Sequence, residues 1–335
     1  MPNSAFTSRV LSEKGTLLPP RIPISGVETP ASRIFFGTAT PPMLADEDCT
    51  SLLDAVYASG INAFDTARGY QGAEKSLGRW MRLRGNRDKL VILTKCGDLI
   101  RGKVHIDREV ILREFAQSLE NLGTDHVDIF LLHRDDPNTP ILEQLETLNE
   151  LKRAGKMRVF GVSNWTHARI AEANRIAAEH GLEGFTVSSP NFGLAHQMAD
   201  LWGGGCVTLT GRENADARRW YTENQMPVVA YSSLARGFFS GKFRAYDQDG
   251  AKQVLDSFAQ KGFLYDENME RLRIAEEIAA RDGCTVSQVA LRYLFASPMN
   301  TFAVVSTTNP DRLADNAACT LAPLGETDLV RFDRI

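Results

Sequence analysis

Asp65, Lys95, His133 and the pair Ser163–Asn164 each stand at or beside the end of a short apolar run: Ala63–Asp65, Val91–Lys95, Val127–His133 and Arg158–Ser163. Tyr70 follows the first of these across one short loop. Each residue has an ordinary reading when taken alone. A strand-end aspartate commonly caps a helix, a lysine there is commonly solvated, a histidine commonly holds a structural hydrogen bond, and a tyrosine commonly lines a wall. Their succession on neighbouring runs is what points to chemistry. A tyrosine hydroxyl has a pKa of about 10 and is a poor proton donor at neutral pH. An ammonium beside it stabilises the phenolate, and a carboxylate can fix that ammonium by a charge-assisted contact. An imidazole can then orient a carbonyl beside the phenol. Such a set protonates an oxygen while something else attacks the carbon. It contains no nucleophile and no metal shell. Hydride transfer from a cofactor is therefore the simplest reaction for it, with Tyr70 as proton donor, Lys95 and Asp65 behind it, and His133 as orienting group.

These residues converge only if their runs are strands of one sheet. Eight runs qualify: Arg33–Phe36, Ala63–Asp65, Val91–Lys95, Val127–His133, Arg158–Ser163, Thr186–Ser189, Val228–Tyr231 and Thr301–Ser306. Longer amphipathic segments separate them, and their spacing predicts helices over Asp46–Ala58, Ala73–Arg82, Asp107–Leu122, Ile141–Ala154 and Thr166–Glu179. Further helices are predicted over Glu213–Asn224, Asn268–Arg281, Ser287–Phe295 and Asn309–Ala317. Gly60, Gly123, Gly155 and Gly181 read as C-terminal caps. Asp107, Ser163 or Asn164, and Asn309 read as N-caps. Strands alternating with helices in this number predict an α/β fold, a (β/α)8 TIM barrel with catalytic groups at the C-terminal ends of its strands. A doubly wound sheet is the rival, but no G-x-G-x-x-G follows the first strand and no P-loop occurs. The long connections Ala195–Arg212 and Arg236–Glu267 are predicted to be functional loops over the C-terminal face. Residues 1–30, with Pro19, Pro20, Pro23 and Pro30, read as an irregular arm with a short hairpin, and residues 31–335 as one barrel.

A chain of 335 residues is long enough for such a barrel and for a core that needs no metal or disulfide. Its formal charge of −4 gives no pull toward nucleic acid or an anionic membrane. No apolar stretch approaches the length of a membrane span, and the N-terminus lacks the apolar centre of a signal peptide. The five cysteines are scattered and form no C-x-x-C pair, against a disulfide framework or a structural zinc. A cytoplasmic protein acting on a small molecule is the expectation.

Six motifs, in order and with matching spacing, resemble the aldo-keto reductase family over about residues 33–318. They are D-T-A-R-G-Y-Q-G-A-E at 65–74, L-T-K at 93–95, L-L-H at 131–133, G-V-S-N at 161–164, Y-S-S-L at 231–234 and S-T-T-N-P-D-R-L-A-D-N at 306–316. The resemblance implies a (β/α)8 barrel that reduces aldehydes or ketones to alcohols, or runs the reverse, with NAD(P)H and no metal. It carries the family's tetrad onto Asp65, Tyr70, Lys95 and His133. It implies that Ser163 and Asn164 meet the nicotinamide carboxamide and that Tyr231 stacks on the ring. Ser232, Leu234 and Gly237 would meet the pyrophosphate. Ser306, Thr307, Thr308, Arg312 and Asn316 would lie toward the adenosine, with Arg312 at the 2′-phosphate, favouring NADPH over NADH. The sequence departs from the family at three places. Ser189 replaces the usual glutamine that shares the carboxamide, Ser306 replaces a common basic clamp, and Gln71 replaces a glycine that often follows the tyrosine. Substrate selectivity is assigned to Trp165, Phe192 and Trp202, the last in the segment with Cys206 and Gly211. Two rivals compete. One is a cofactor-binding regulatory or redox-sensing subunit with little turnover. The other is a barrel metallohydrolase on His133, Asp135 and Asp136, disfavoured because only His133 among the histidines ends a strand.

Overall fold

The computed structural model describes residues 20–98, 104–318 and 324–335. Eight parallel strands close on themselves: β3 (Ile34–Gly37), β4 (Ala63–Asp65), β5 (Val91–Cys96), β6 (Val127–Leu132), β7 (Met157–Ser163), β8 (Val187–Ser189), β9 (Val228–Ala230) and β10 (Thr301–Val305). Closure is made by β10 pairing with β3, with Ala303 opposite Ile34 and Val305 opposite Phe36. A closed barrel leaves no strand edge, which excludes the doubly wound alternative.

The strands read as unbroken apolar runs because both of their faces are buried. Phe35, Val91, Leu93, Ile129, Leu131, Val159, Val187, Val229 and Phe302 fill the interior. Phe36, Phe64, Ile92, Phe130, Phe160 and Val228 alternate with them and pack outward on the helices. A two-stranded hairpin, β1 (Arg21–Ile22) with β2 (Ala31–Ser32), brings Ile24 and Val27 onto the same interior cluster. The rest of the expected arm, residues 1–19, lies outside the described residues.

The helices over Arg108–Leu122, Ile141–Arg153, His167–Glu179 and Ala215–Asn224 follow the sequence pattern closely. Asp107 caps the first of these by accepting from the Val110 amide at 2.8 Å. Two expectations are corrected. The helix expected from Asp46 begins at Thr50, because Asp46 sits at φ 60°. Neither Ser163 nor Asn164 caps the helix His167–Glu179. Thr166 does, accepting from the Arg169 amide at 3.2 Å, since Ser163 is still in β7. The connection after β9 contains the short helices Gln248–Val254 and Ser257–Phe263. Among the described residues, no helix is long and apolar enough to cross a membrane, and Cys49, Cys96, Cys206 and Cys284 are unpaired.

Gly161 shows how closely the strands approach. A β-carbon there would land on the Val187 carbonyl oxygen, in backbone that pairs β7 with β8. Gly161→Ala is expected to lower stability by about 1–3 kcal/mol, read as a fall in the urea midpoint. An unchanged midpoint would show that the two strands can part at no cost.

Candidate active site

Side chains alternate along a strand between interior and exterior. Counting by two from the interior apolar residues reaches the last inward position of every strand. Phe35 leads to Gly37, Ala63 to Asp65, Leu93 to Lys95, Leu131 to His133, Gly161 to Ser163, Val187 to Ser189, Val229 to Tyr231, and Val304 to Ser306. All eight of these last positions line one cavity of about 710 Å³ at the C-terminal mouth of the barrel. The register steps them around the mouth: Gly37 lies opposite Asp65 and Ser163 opposite Ser189, whereas Asp65 lies opposite Leu93, two residues before Lys95, and Lys95 opposite Leu131, two residues before His133.

The four residues that the sequence suggested as a set come together there. Lys95 Nζ lies 2.7 Å from Asp65 Oδ1, with side-chain exposures of 3% and 6%, so the ion pair is shut away from water. The same ammonium donates to the Thr66 carbonyl at 2.8 Å and stands 5.0 Å from the centre of the Tyr70 ring. The rings of Tyr70 and His133 meet edge to face at 5.8 Å. Burial works to discharge Lys95, but Asp65 and Tyr70 outweigh it and its pKa rises. Burial raises the pKa of Asp65, with Lys95 opposing. Burial also raises that of Tyr70, against the lowering pull of Lys95 as charge and hydrogen-bond donor. Lys95 therefore acts on the phenol in the expected sense without dominating, and Tyr70 is a protonated phenol at neutral pH. His133 is pushed down to about 3, first by burial and then by the Lys95 charge, and is a neutral imidazole.

The residues suggested for a cofactor divide into three groups. Ser163, Asn164 and Ser189 form one wall. Ser163 Oγ donates to the Ser189 carbonyl at 2.7 Å. The Asn164 amide is fully spent: its nitrogen donates to the His133 carbonyl at 3.1 Å and Ser163 Oγ at 3.2 Å. Its oxygen accepts from the Tyr231 hydroxyl at 2.8 Å and the Val207 amide at 3.2 Å. Ser189 Oγ, by contrast, is buried with no hydrogen-bond partner among the described residues. It is the atom of that wall with capacity left for a ligand.

The second group is the turn after β9. Ser232, Ala235 and Arg236 have φ of 52°, 50° and 53°, and Gly237 has φ 94°. Non-glycine residues in this left-handed region are strained, and such strain collects at ligand sites. Ser232 and Leu234 line the cavity and Gly237 does not. The third group is at the rim. Ser306 Oγ donates to the Gly37 carbonyl at 2.8 Å, and a β-carbon at Gly37 would stand 2.8 Å from Val304 Cγ1, so only glycine leaves that corner open. Thr307, Thr308, Arg312 and Asn316 lie past the cavity lining. Asn309 caps their helix, Pro310–Ala318, by accepting from the Asp311 amide at 2.9 Å. Arg312 is half-buried, and among the described residues its guanidinium has no ionic partner. The chemistry of this set suits an extended nucleotide: an unspent serine and a strained turn line the cavity, and a cation without an ionic partner lies past it. Gln71 has φ 46°, in the left-handed region that favours glycine.

Of the three aromatic residues assigned to selectivity, Trp202 lines the cavity. Trp165 and Phe192 do not, because both are anchored in the layer between barrel and helices. The Trp165 indole donates to the Arg134 carbonyl at 3.0 Å, and Phe192 turns toward Tyr293, 6.4 Å between ring centres. Asp136 accepts from the Ile106 amide at 2.9 Å and Thr139 at 2.8 Å, and Asp135 Oδ2 pairs with Arg169 at 3.4 Å while its Oδ1 is buried without a hydrogen-bond partner; among the described residues neither joins a group of three or more metal-ligating side chains. The sequence reading missed Asp98, Arg134, Arg236 and Phe258, which also line the cavity. For Arg134 a signal existed. It adjoins His133 just where β6 ends, so strict alternation no longer directs it outward.

Comparison with known proteins bears on this arrangement. The model of the Aldo/keto reductase family matches residues 33–335. Norsolorinic acid reductase B of Dothistroma septosporum is 27% identical over 305 residues, which cover 86% of this chain and 71% of that protein. L-glyceraldehyde 3-phosphate reductase of Escherichia coli is 26% identical, with 87% of this chain and 84% of that protein covered. Aldo-keto reductase str7 of Strobilurus tenacellus is 24% identical, with 87% and 82% covered. A family match running from the first barrel strand to the last residue, on a closed eight-stranded barrel, makes this chain a member of the aldo/keto reductase family and an oxidoreductase.

Proposed function

We propose that this oxidoreductase reduces an aldehyde or ketone to its alcohol with NADPH, or runs the reverse, and that Tyr70 supplies the proton. The observation that carries the reading is the approach of the buried Lys95–Asp65 pair and the His133 ring to one half-buried phenol at the cavity. When bound, the dihydronicotinamide supplies a hydride to the carbonyl carbon. The chain's own residues do the rest. The neutral His133 can donate a hydrogen bond to the carbonyl oxygen without adding a second positive charge beside Lys95. Tyr70 donates its proton to that oxygen as charge builds there. Lys95 stabilises the phenolate that remains, and Asp65 holds Lys95 in place.

For the cofactor, the unspent Ser189 Oγ supports a bond to the carboxamide, with Ser163 and Asn164 shaping the wall. Tyr231 would present its ring to the nicotinamide. Ser232, Leu234 and Gly237 would take the pyrophosphate, and Ser306, Thr307, Thr308 and Asn316 the adenosine. The unpaired guanidinium of Arg312 supports NADPH over NADH. The relatives' names give two different substrates, norsolorinic acid and L-glyceraldehyde 3-phosphate, and so speak to the reaction rather than to the compound reduced.

Tyr70→Phe should lower kcat by roughly 10²–10⁴-fold while NADPH affinity, read by tryptophan fluorescence, stays nearly unchanged. Full turnover in this variant would refute the proton donor. Because His133 is held at about 3, it is already neutral across the physiological range. The profile of kcat/KM against pH should therefore show no inflection near the ordinary histidine value of about 6.5. An inflection there that vanishes in His133→Gln would show that the imidazole titrates normally. Arg312→Ala should weaken NADPH by roughly 10-fold and leave NADH nearly unaffected. Equal loss for both cofactors would mean that Arg312 does not read the 2′-phosphate.

A further inference from the structure

Arg134 enters the cavity one residue after His133 and takes no part in the chemistry above. We infer that it makes the site select carbonyl substrates bearing an anionic tail, a carboxylate or a phosphate. This rests on reduction at Tyr70 and specifies the substrate class for it.

The Arg134 side chain is 6% exposed. A cation that deep is costly unless it is well partnered, and hydrogen bonds reach only its two terminal nitrogens. Nη1 donates to the Gly204 carbonyl at 3.3 Å and contacts Cys206 Sγ at 3.1 Å. Nη2 reaches the Trp202 carbonyl at 3.5 Å. Nε is buried and has no hydrogen-bond partner among the described residues. Asp98 Oδ1 stands 3.6 Å from Nε, close enough for attraction and too far for a hydrogen bond. Nε and Nη2 form the edge with which a guanidinium grips a carboxylate or phosphate through two parallel bonds. Here that edge is only loosely used.

Its place in the cavity suits a substrate tail. Asp98 stands 3.7 Å from the His133 ring and 3.6 Å from Arg134 Nε, so the guanidinium edge lies one carboxylate away from the imidazole that would hold the carbonyl, in the same cavity. The other cations of the lining hold their carboxylates more closely than Arg134 holds Asp98. Lys95 belongs to Asp65, and Arg236 pairs with Asp256 at 2.6 Å between the Trp202 and Phe258 rings, 5.6 and 5.5 Å away. Asp98 is 35% exposed and keeps water when a tail takes the guanidinium edge.

The test compares wild-type kcat/KM, with NADPH, for two anionic aldehydes and their neutral counterparts: succinic semialdehyde against butanal, and glycolaldehyde phosphate against glycolaldehyde. At least one anionic member should exceed its neutral partner by roughly 10–100-fold, and which pair shows the larger ratio identifies carboxylate or phosphate as the preferred tail. Arg134→Met should remove most of that ratio, chiefly through KM. Arg134→Lys, which keeps the charge without the fork, should fall between. Equal values within both pairs for the wild type overturn the inference, as does a loss in Arg134→Met of the same size for charged and neutral aldehydes. If Arg134→Met does not fold, the wild-type ratios and Arg134→Lys decide. Turnover of the neutral aldehydes separates failure of this inference from failure of the Tyr70 reading, which predicts that they too are reduced.

Discussion

A side chain on a closed barrel has two directions open to it, inward or outward, and successive residues must take them in turn. This one constraint organises the whole molecule. The inward series is apolar through the lower barrel, where Phe35, Leu93, Ile129, Leu131, Val187 and Phe302 exclude water. At the last inward position it becomes glycine, carboxylate, ammonium, imidazole, hydroxyl or phenol on every strand. The apolar layers below supply a dry, rigid floor, and the strand register sets the height of each polar group. No loop is needed to bring Asp65, Lys95 and His133 together. Parallel pairing sets them two residues apart in register from β4 to β5 and from β5 to β6, and the long Lys95 side chain spans the step to Asp65.

Burial then makes the Lys95–Asp65 pair the electrostatic centre of the mouth. A lone ammonium at that depth would lose its proton, and a lone carboxylate would take one up. Together they remain charged, and the charge acts in two directions. It offers the Tyr70 oxygen a stabilised anionic form, and it disfavours protonation of His133, which burial already opposes. In the proposed reaction one cation thus separates the acid from the neutral hydrogen-bond donor, two groups whose ordinary pKa values would not assign those parts.

The face above the mouth follows different rules. Trp202 arrives from the connection after β8, and Arg236 and Phe258 from the connection after β9, and the three stack across the opening. Arg134 ties the first of these connections down through the carbonyls of Trp202 and Gly204. Both connections are anchored by buried apolar residues, Leu201 in the first and Phe238, Phe239 and Phe263 in the second, while their contacts across the mouth rest on cation–ring stacking and single hydrogen bonds. Such contacts can be exchanged without disturbing the barrel, and substrate choice can vary while the reaction does not.

The strands, most helices, Asp107 as a cap and the grouping of Asp65, Tyr70, Lys95 and His133 were all legible in the amino-acid sequence. They depend on periodicity, capping chemistry and the position of a residue along its own run, which are local properties. Tertiary structure decided what depends on partners distant in the chain. It buried Trp165 and Phe192 behind the barrel wall, spent the Asn164 amide on Tyr231 and Val207, left Ser189 Oγ unspent, and let burial outweigh Lys95 in setting the Tyr70 pKa. It also turned Arg134 inward just beyond β6, where alternation no longer applies. A pattern in sequence can say which face a residue takes along a strand. How deeply that residue is buried, and which polar atoms remain to meet it, is settled only when the other strands and loops close around it.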